Sequence, residues 1–103
     1  MTFDTVRSLG NWVPIRDCPG RFVLRDIPPT TSIAELLGPE TKAQSSQSPK
    51  ARDLVWVASF DDGGVISYQR SDQTWIHTLC TLEGFKRKLT QLKITVPEPV
   101  TET

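Results

Sequence analysis

Residues 54–80 read LVWVASFDDGGVISYQRSDQTWIHTLC, and the reading of this stretch decides the fold. Three runs rich in β-branched and aromatic residues, LVWVASF, VISYQR and TWIHTLC, are separated by DDGG and SDQ. Runs of this kind bounded by Gly, Asp and Ser clusters predict strands. The short connections force neighbouring strands antiparallel, so the expectation is a three-stranded meander. The Asp-Gly step in DDGG is expected to supply the positive φ values of a tight hairpin turn.

Side chains alternate across a strand, so these residues sort into two faces. Leu54, Trp56, Ala58 and Phe60 oppose Val55, Val57 and Ser59. Val65, Ser67 and Gln69 oppose Ile66, Tyr68 and Arg70, and Trp75, His77 and Leu79 oppose Thr74, Ile76, Thr78 and Cys80. The first run is apolar on both faces, which predicts a central strand or one covered on both sides.

Moving toward the C-terminus, TLEGFKRKLTQLKI predicts a helix with Thr81 as N-cap and Glu83 in its first turn. Leu82, Phe85, Leu89 and Leu92 recur at three- and four-residue spacing and form one apolar stripe. Gly84 in the first turn works against the helix. The polar, proline-bearing tail at about 95–103 is expected to fray.

Moving toward the N-terminus, ETKAQSSQSPKAR holds nothing apolar larger than alanine, so about 40–52 is expected to be a flexible loop. Ser48 before Pro49 is a candidate phosphorylation site in it. Before the loop, IPPTTSIAELLGPE carries the capping-box pair Ser32 and Glu35, with Gly38 and Pro39 to stop a short helix in a left-handed exit. Farther back, WVPIRDCPGRFVLR predicts two short strands around a Pro19-Gly20 type II turn. Pro14 donates no backbone hydrogen bond, so the first of those strands is expected to be an edge or a very short piece. The first ten residues carry mixed signals.

These elements predict an α+β fold in one domain, 1–103. An N-terminal hairpin joins the meander in one antiparallel sheet, with a short helix, and a C-terminal helix packs on one face. A chain of 103 residues has room for one core. Its apolar share of 37% is lean, as a core diluted by a polar loop would give.

Twelve basic and twelve acidic residues balance, whereas duplex-binding proteins usually carry an excess of Lys and Arg. Cys18 and Cys80 form no CxxC pair and are too few for a disulfide scaffold, so a reducing cytoplasmic or nuclear setting is expected. No run is long and apolar enough to predict a signal peptide or membrane contact.

His77, the only histidine, and Cys80 lie three residues apart, an odd offset that sends them to opposite strand faces. A Cys/His dyad requires hydrogen-bond reach, so none is expected here. Cys80 reads as a small buried hydrophobe and His77 as a hydrogen-bonded structural residue. GxSxG, HExxH, Walker and GxGxxG patterns are absent, and no catalytic residue, metal ligand or cofactor is assigned.

Three functions follow. The leading one is a small intracellular protein-interaction module without catalytic activity, binding through an aromatic sheet face or a sheet edge. Its candidate binding residues are Tyr68, Arg70, Trp75 and His77, with Lys86 and Arg87 on the basic flank of the last helix. The second is a nucleic-acid-binding domain using that helix and the sheet, aided by Arg16, Arg21 and Arg25 if they lie nearby. The order helix, three antiparallel strands, helix resembles that of double-stranded-RNA-binding domains. The resemblance implies cations at the start of the last helix, where this chain has TLEG with Glu83. The third is a small-ligand enzyme with a pocket around Tyr68, Trp75 and His77, Tyr68 and Arg70 being the expected cross-strand neighbours of the histidine.

Overall fold

The computed structural model describes residues 2–38, 43–46 and 52–94. In chain order the elements are α1 (Phe3–Arg7), β1 (Asn11–Pro14), β2 (Arg21–Arg25), α2 (Ile33–Leu37), β3 (Gln44–Ser46), β4 (Leu54–Phe60), β5 (Gly63–Gln69), β6 (Trp75–Thr81) and α3 (Leu82–Leu92). All six strands form one antiparallel sheet in the order β1-β2-β6-β5-β4-β3. The N-terminal hairpin therefore joins the meander, through the pairing of β2 with β6.

The hairpin forms as its sequence dictates. Gly20 has φ 79° and the Arg21 amide donates to the Cys18 carbonyl at 3.2 Å, closing a type II turn around Pro19-Gly20. Pro14 ends β1 on the sheet edge. The residues with mixed signals form α1, capped by Thr2 and anchored by fully buried Val6. In α2 the capping box is complete: Ser32 Oγ accepts from the Glu35 amide at 3.2 Å, and the Ser32 amide donates to Glu35 Oε2 at 2.7 Å. Gly38 exits with φ 96° and ψ 156°, a glycine-only extended conformation rather than the expected left-handed helical one.

Two further sequence expectations give way. Within the stretch read as a loop, Gln44–Ser46 forms a strand on the outer edge of β4, with Ser45 opposite Trp56. Backbone pairing of this kind needs no apolar side chains, which is why hydrophobic patterning missed it. The remainder of 40–52, including Ser48, lies largely outside the described residues, as does the tail at 95–103. In the β4–β5 hairpin, Phe60 pairs with Gly63, so the turn residues are Asp61 and Asp62, neither at positive φ. Both glycines belong to β5. Gly64 is there for close approach: a Cβ on it would lie 2.5 Å from Cε1 of the Phe85 ring.

The alternation sorted the faces correctly. Val55, Val57, Ile66 and Cys80 pack with Phe85, Leu89 and Leu92 of α3, all fully buried or nearly so. Leu82, assigned to the same stripe, is the first residue of α3 and is 38% exposed. The opposite face carries Ala58, Phe60, Val65 and Leu79 against Val6, Trp12, Leu24, Ile33 and Leu37. As expected, β4 is covered on both sides, although it lies next to the edge strand rather than at the sheet's centre. The start of α3 abuts the hairpin turn: the Thr81 amide donates to the Gly20 carbonyl at 2.8 Å, and a Cβ on Gly84 would lie 2.8 Å from that oxygen. The glycine that weakens the helix is thus the residue that lets it dock. Among the described residues, no helix is long and apolar enough to cross a membrane.

Candidate functional site

His77 is the centre of a buried side-chain network on the face of α1 and α2. Its Nε2 lies 2.9 Å from the Thr31 carbonyl oxygen and its Nδ1 lies 2.7 Å from Ser67 Oγ. A carbonyl only accepts, so Nε2 carries the proton, and Nδ1 accepts from the Ser67 hydroxyl. Burial holds the His77 pKa below its ordinary value, with the Thr31 bond acting in the opposite direction. The imidazole is therefore neutral and its tautomer is set by its partners.

A serine hydroxyl beside an imidazole is also the pairing used in nucleophilic catalysis. Here Ser67 is 0% and His77 is 3% exposed, and the third member is a backbone carbonyl rather than a carboxylate. No substrate atom can reach the hydroxyl in this conformation. The arrangement is a clip that ties the segment before α2 to the centre of the sheet.

Outward from His77 the face becomes aromatic and progressively exposed. Trp75 stacks on His77 at 5.8 Å between centroids with an interplanar angle of 15°. Trp56 of β4 meets Trp75 of β6 at 5.9 Å, bridging over β5, and its Nε1 donates to Gln69 Oε1 at 3.0 Å. The Trp75 amide donates to the Pro29 carbonyl at 2.6 Å, holding the chain before α2 against the end of β6. Both of these tryptophans are half-buried, whereas Trp12 is 6% exposed. Beside them an open cleft of about 450 Å³ is lined by Arg52, Asp53, Leu54, Gln69, Arg70 and Ser71. Leu54 on its wall is 37% exposed.

The six residues singled out from sequence do not converge. Trp75 and His77 touch. Tyr68 pairs with Ile76 and lies on the α3 face, so a Tyr68–Trp75–His77 pocket does not exist; the cross-strand partner of His77 is Ser67. The expectation failed on which faces of neighbouring strands coincide. Burial and Cys80 push the Tyr68 hydroxyl up to about 12, Arg21 acting in the opposite direction. Arg70 follows β5 in the turn to β6 and lines the cleft. Lys86 and Arg87 are exposed on α3, where Arg87 approaches Glu83 at 3.5 Å.

Cys80 stands on the α3 face, opposite His77 as the odd offset requires, and burial pushes its thiol up to about 12. Cys18 sits in the hairpin turn, its sulfur 2.8 Å from Arg21 Nη2. Both cysteines are free. Among the described residues no cluster of three His, Cys, Asp or Glu side chains could hold a metal ion. Sequence reading missed Trp56, Gln69, Ser67 and Thr31 as neighbours of this region. The first three share the parity of Trp75 and His77, but only the register of the strands shows it. The chain matches no protein-family model, no curated protein and no solved structure.

Proposed function

We propose that the protein is an interaction module whose cleft beside the Trp56–Trp75 pair binds an extended segment of a partner protein. The observation that carries this reading is the half-buried Trp56–Trp75 contact at 5.9 Å, which Trp56 joins to the cleft through its hydrogen bond to Gln69 on the cleft wall. Tryptophan and arginine are the side chains most enriched at the energetic centres of interfaces. Arg52 and Arg70 outnumber Asp53 along the cleft, which favours a segment with a carboxylate beside a proline or aromatic ring.

The sheet edges are poor alternatives. Pro14 stands on the outer edge of β1, and β3 is three residues long. Both are features that discourage strand addition. The two free thiols agree with a cytoplasmic or nuclear setting.

Affinity capture from cells of origin tests the reading. A partner held by the parent chain is expected to be lost on Arg52→Glu with Arg70→Glu, two exposed sites. It is expected to be retained on Lys86→Glu with Arg87→Glu. Equal retention by both double variants, or loss only with the α3 pair, overturns the reading.

A further inference from the structure

We infer that the junction of β2 and α3, on the face opposite the Trp56–Trp75 pair, binds an anion of the phosphate or sulfate class through Arg21 and Lys88. Arg21 pairs in register with Cys80, so its side chain rises on the α3 face of the sheet. Gly84 rests against Gly20, the residue before Arg21. Lys88, one helical turn beyond Gly84, lies on that same flank of α3. Strand register and helical spacing thus bring the two cations to the same flank of the junction between β2 and α3.

Nothing in the described structure neutralises them. No described carboxylate lies within ion-pair distance of either side chain. The Lys88 pKa is lowered first by burial and next by Arg21, with Cys18 and Cys80 acting in the opposite direction. One of the N–H groups of Arg21 donates to Cys18 Sγ at 2.8 Å, and the rest of the fork is left for a ligand. Two like charges drawn together beside a half-buried surface conflict with the fold's own stability. Conflicts of this sort persist where a ligand relieves them. An oxyanion would accept from both cations and replace their repulsion with two charge-assisted hydrogen bonds.

Inorganic phosphate titrated into isotopically labelled protein is the test. Saturable shifts are expected at Arg21 and Lys88, and phosphate is expected to slow iodoacetamide alkylation of Cys18. Lys88→Gln, at a half-exposed position, should weaken binding at least about tenfold, the loss of one charge-assisted hydrogen bond. Lys86→Gln on another flank of α3 should leave it unchanged. A second arm uses phosphatidylcholine vesicles with and without phosphatidic acid. Lys88-dependent binding to the acidic vesicles alone identifies a lipid headgroup as the source, and saturable binding of free phosphate identifies a small ligand. No saturable binding in either arm, or equal losses for Lys88→Gln and Lys86→Gln, overturns the inference.

Discussion

Under α3 the sheet is sealed by apolar contact, whereas on the α1–α2 face apolar packing is interrupted by directional polar bonds. The α3 side joins Val55, Val57, Ile66 and Cys80 to Phe85, Leu89 and Leu92 in a cluster without a charged member. Across the sheet, Trp12 Nε1 donates to the Val6 carbonyl at 2.9 Å, and His77 links Ser67 to Thr31. The covering elements explain the contrast. An eleven-residue helix offers a stripe long enough to seal its face by area, while α1 and α2 have five residues each. Short isolated helices gain little from propensity, so caps and bonds to the sheet must hold them. The same contrast separates the two proposed sites: a cleft beside the Trp56–Trp75 pair, and a cationic flank of α3.

The sharpest way to break this comparison is at Phe85. Its ring is 0% exposed and lies on Gly64, so Phe85→Ala leaves a cavity that the neighbouring strand has no side chain to fill. The expected loss is about 3–5 kcal/mol in denaturant titration. A loss below about 1 kcal/mol would mean that α3 is not sealed onto the sheet by this contact.

On the polar face, Ser67→Ala removes the donor to Nδ1 and leaves a buried acceptor without its partner. The expected loss is about 1–3 kcal/mol, smaller than at Phe85 because no large cavity forms. Hydrogen exchange sharpens the result: opening should increase at the Trp75 amide, which donates to Pro29 in the segment the clip restrains, and not along α3. Faster exchange along α3 alone would erase the distinction between the faces.

The two faces also differ in how far they were legible in the sequence. Phe85, Leu89 and Leu92 announce themselves by spacing, and the odd offset of His77 and Cys80 separates them without coordinates. The capping box at Ser32 and Glu35 is equally local. Contacts that escaped are set by register or by chain segments without periodicity. Ser67 meets His77 only because Gln69 pairs with Trp75, and Thr31 supplies a backbone carbonyl from 46 residues away. Tyr68 was misplaced for the same reason, since the alternation of one strand fixes no face of the next. The strand at Gln44–Ser46 is held by backbone pairing that its polar side chains do not advertise.

The most delicate test of the polar face is its pH dependence. His77 is held neutral mainly by burial, so its pKa in the folded protein lies below the ordinary value of 6.5. The unfolded chain therefore binds the proton more readily, and stability rises with pH across the interval between the two values. The contribution is complete above about pH 6.5 and is lost as pH falls through the folded value. Titratable carboxylates add their own slope at lower pH, Asp72 among them, because Thr74 holds its pKa down. Subtracting the profile of His77→Gln, which keeps a donor and an acceptor but does not titrate, isolates the histidine. The difference should shift against the parent chain as pH falls from about 8 to about 5, through increasing loss in the parent. A flat difference would show that the imidazole is not constrained to its neutral form. The clip would then hold with His77 charged, and the two faces would not differ in their response to protons.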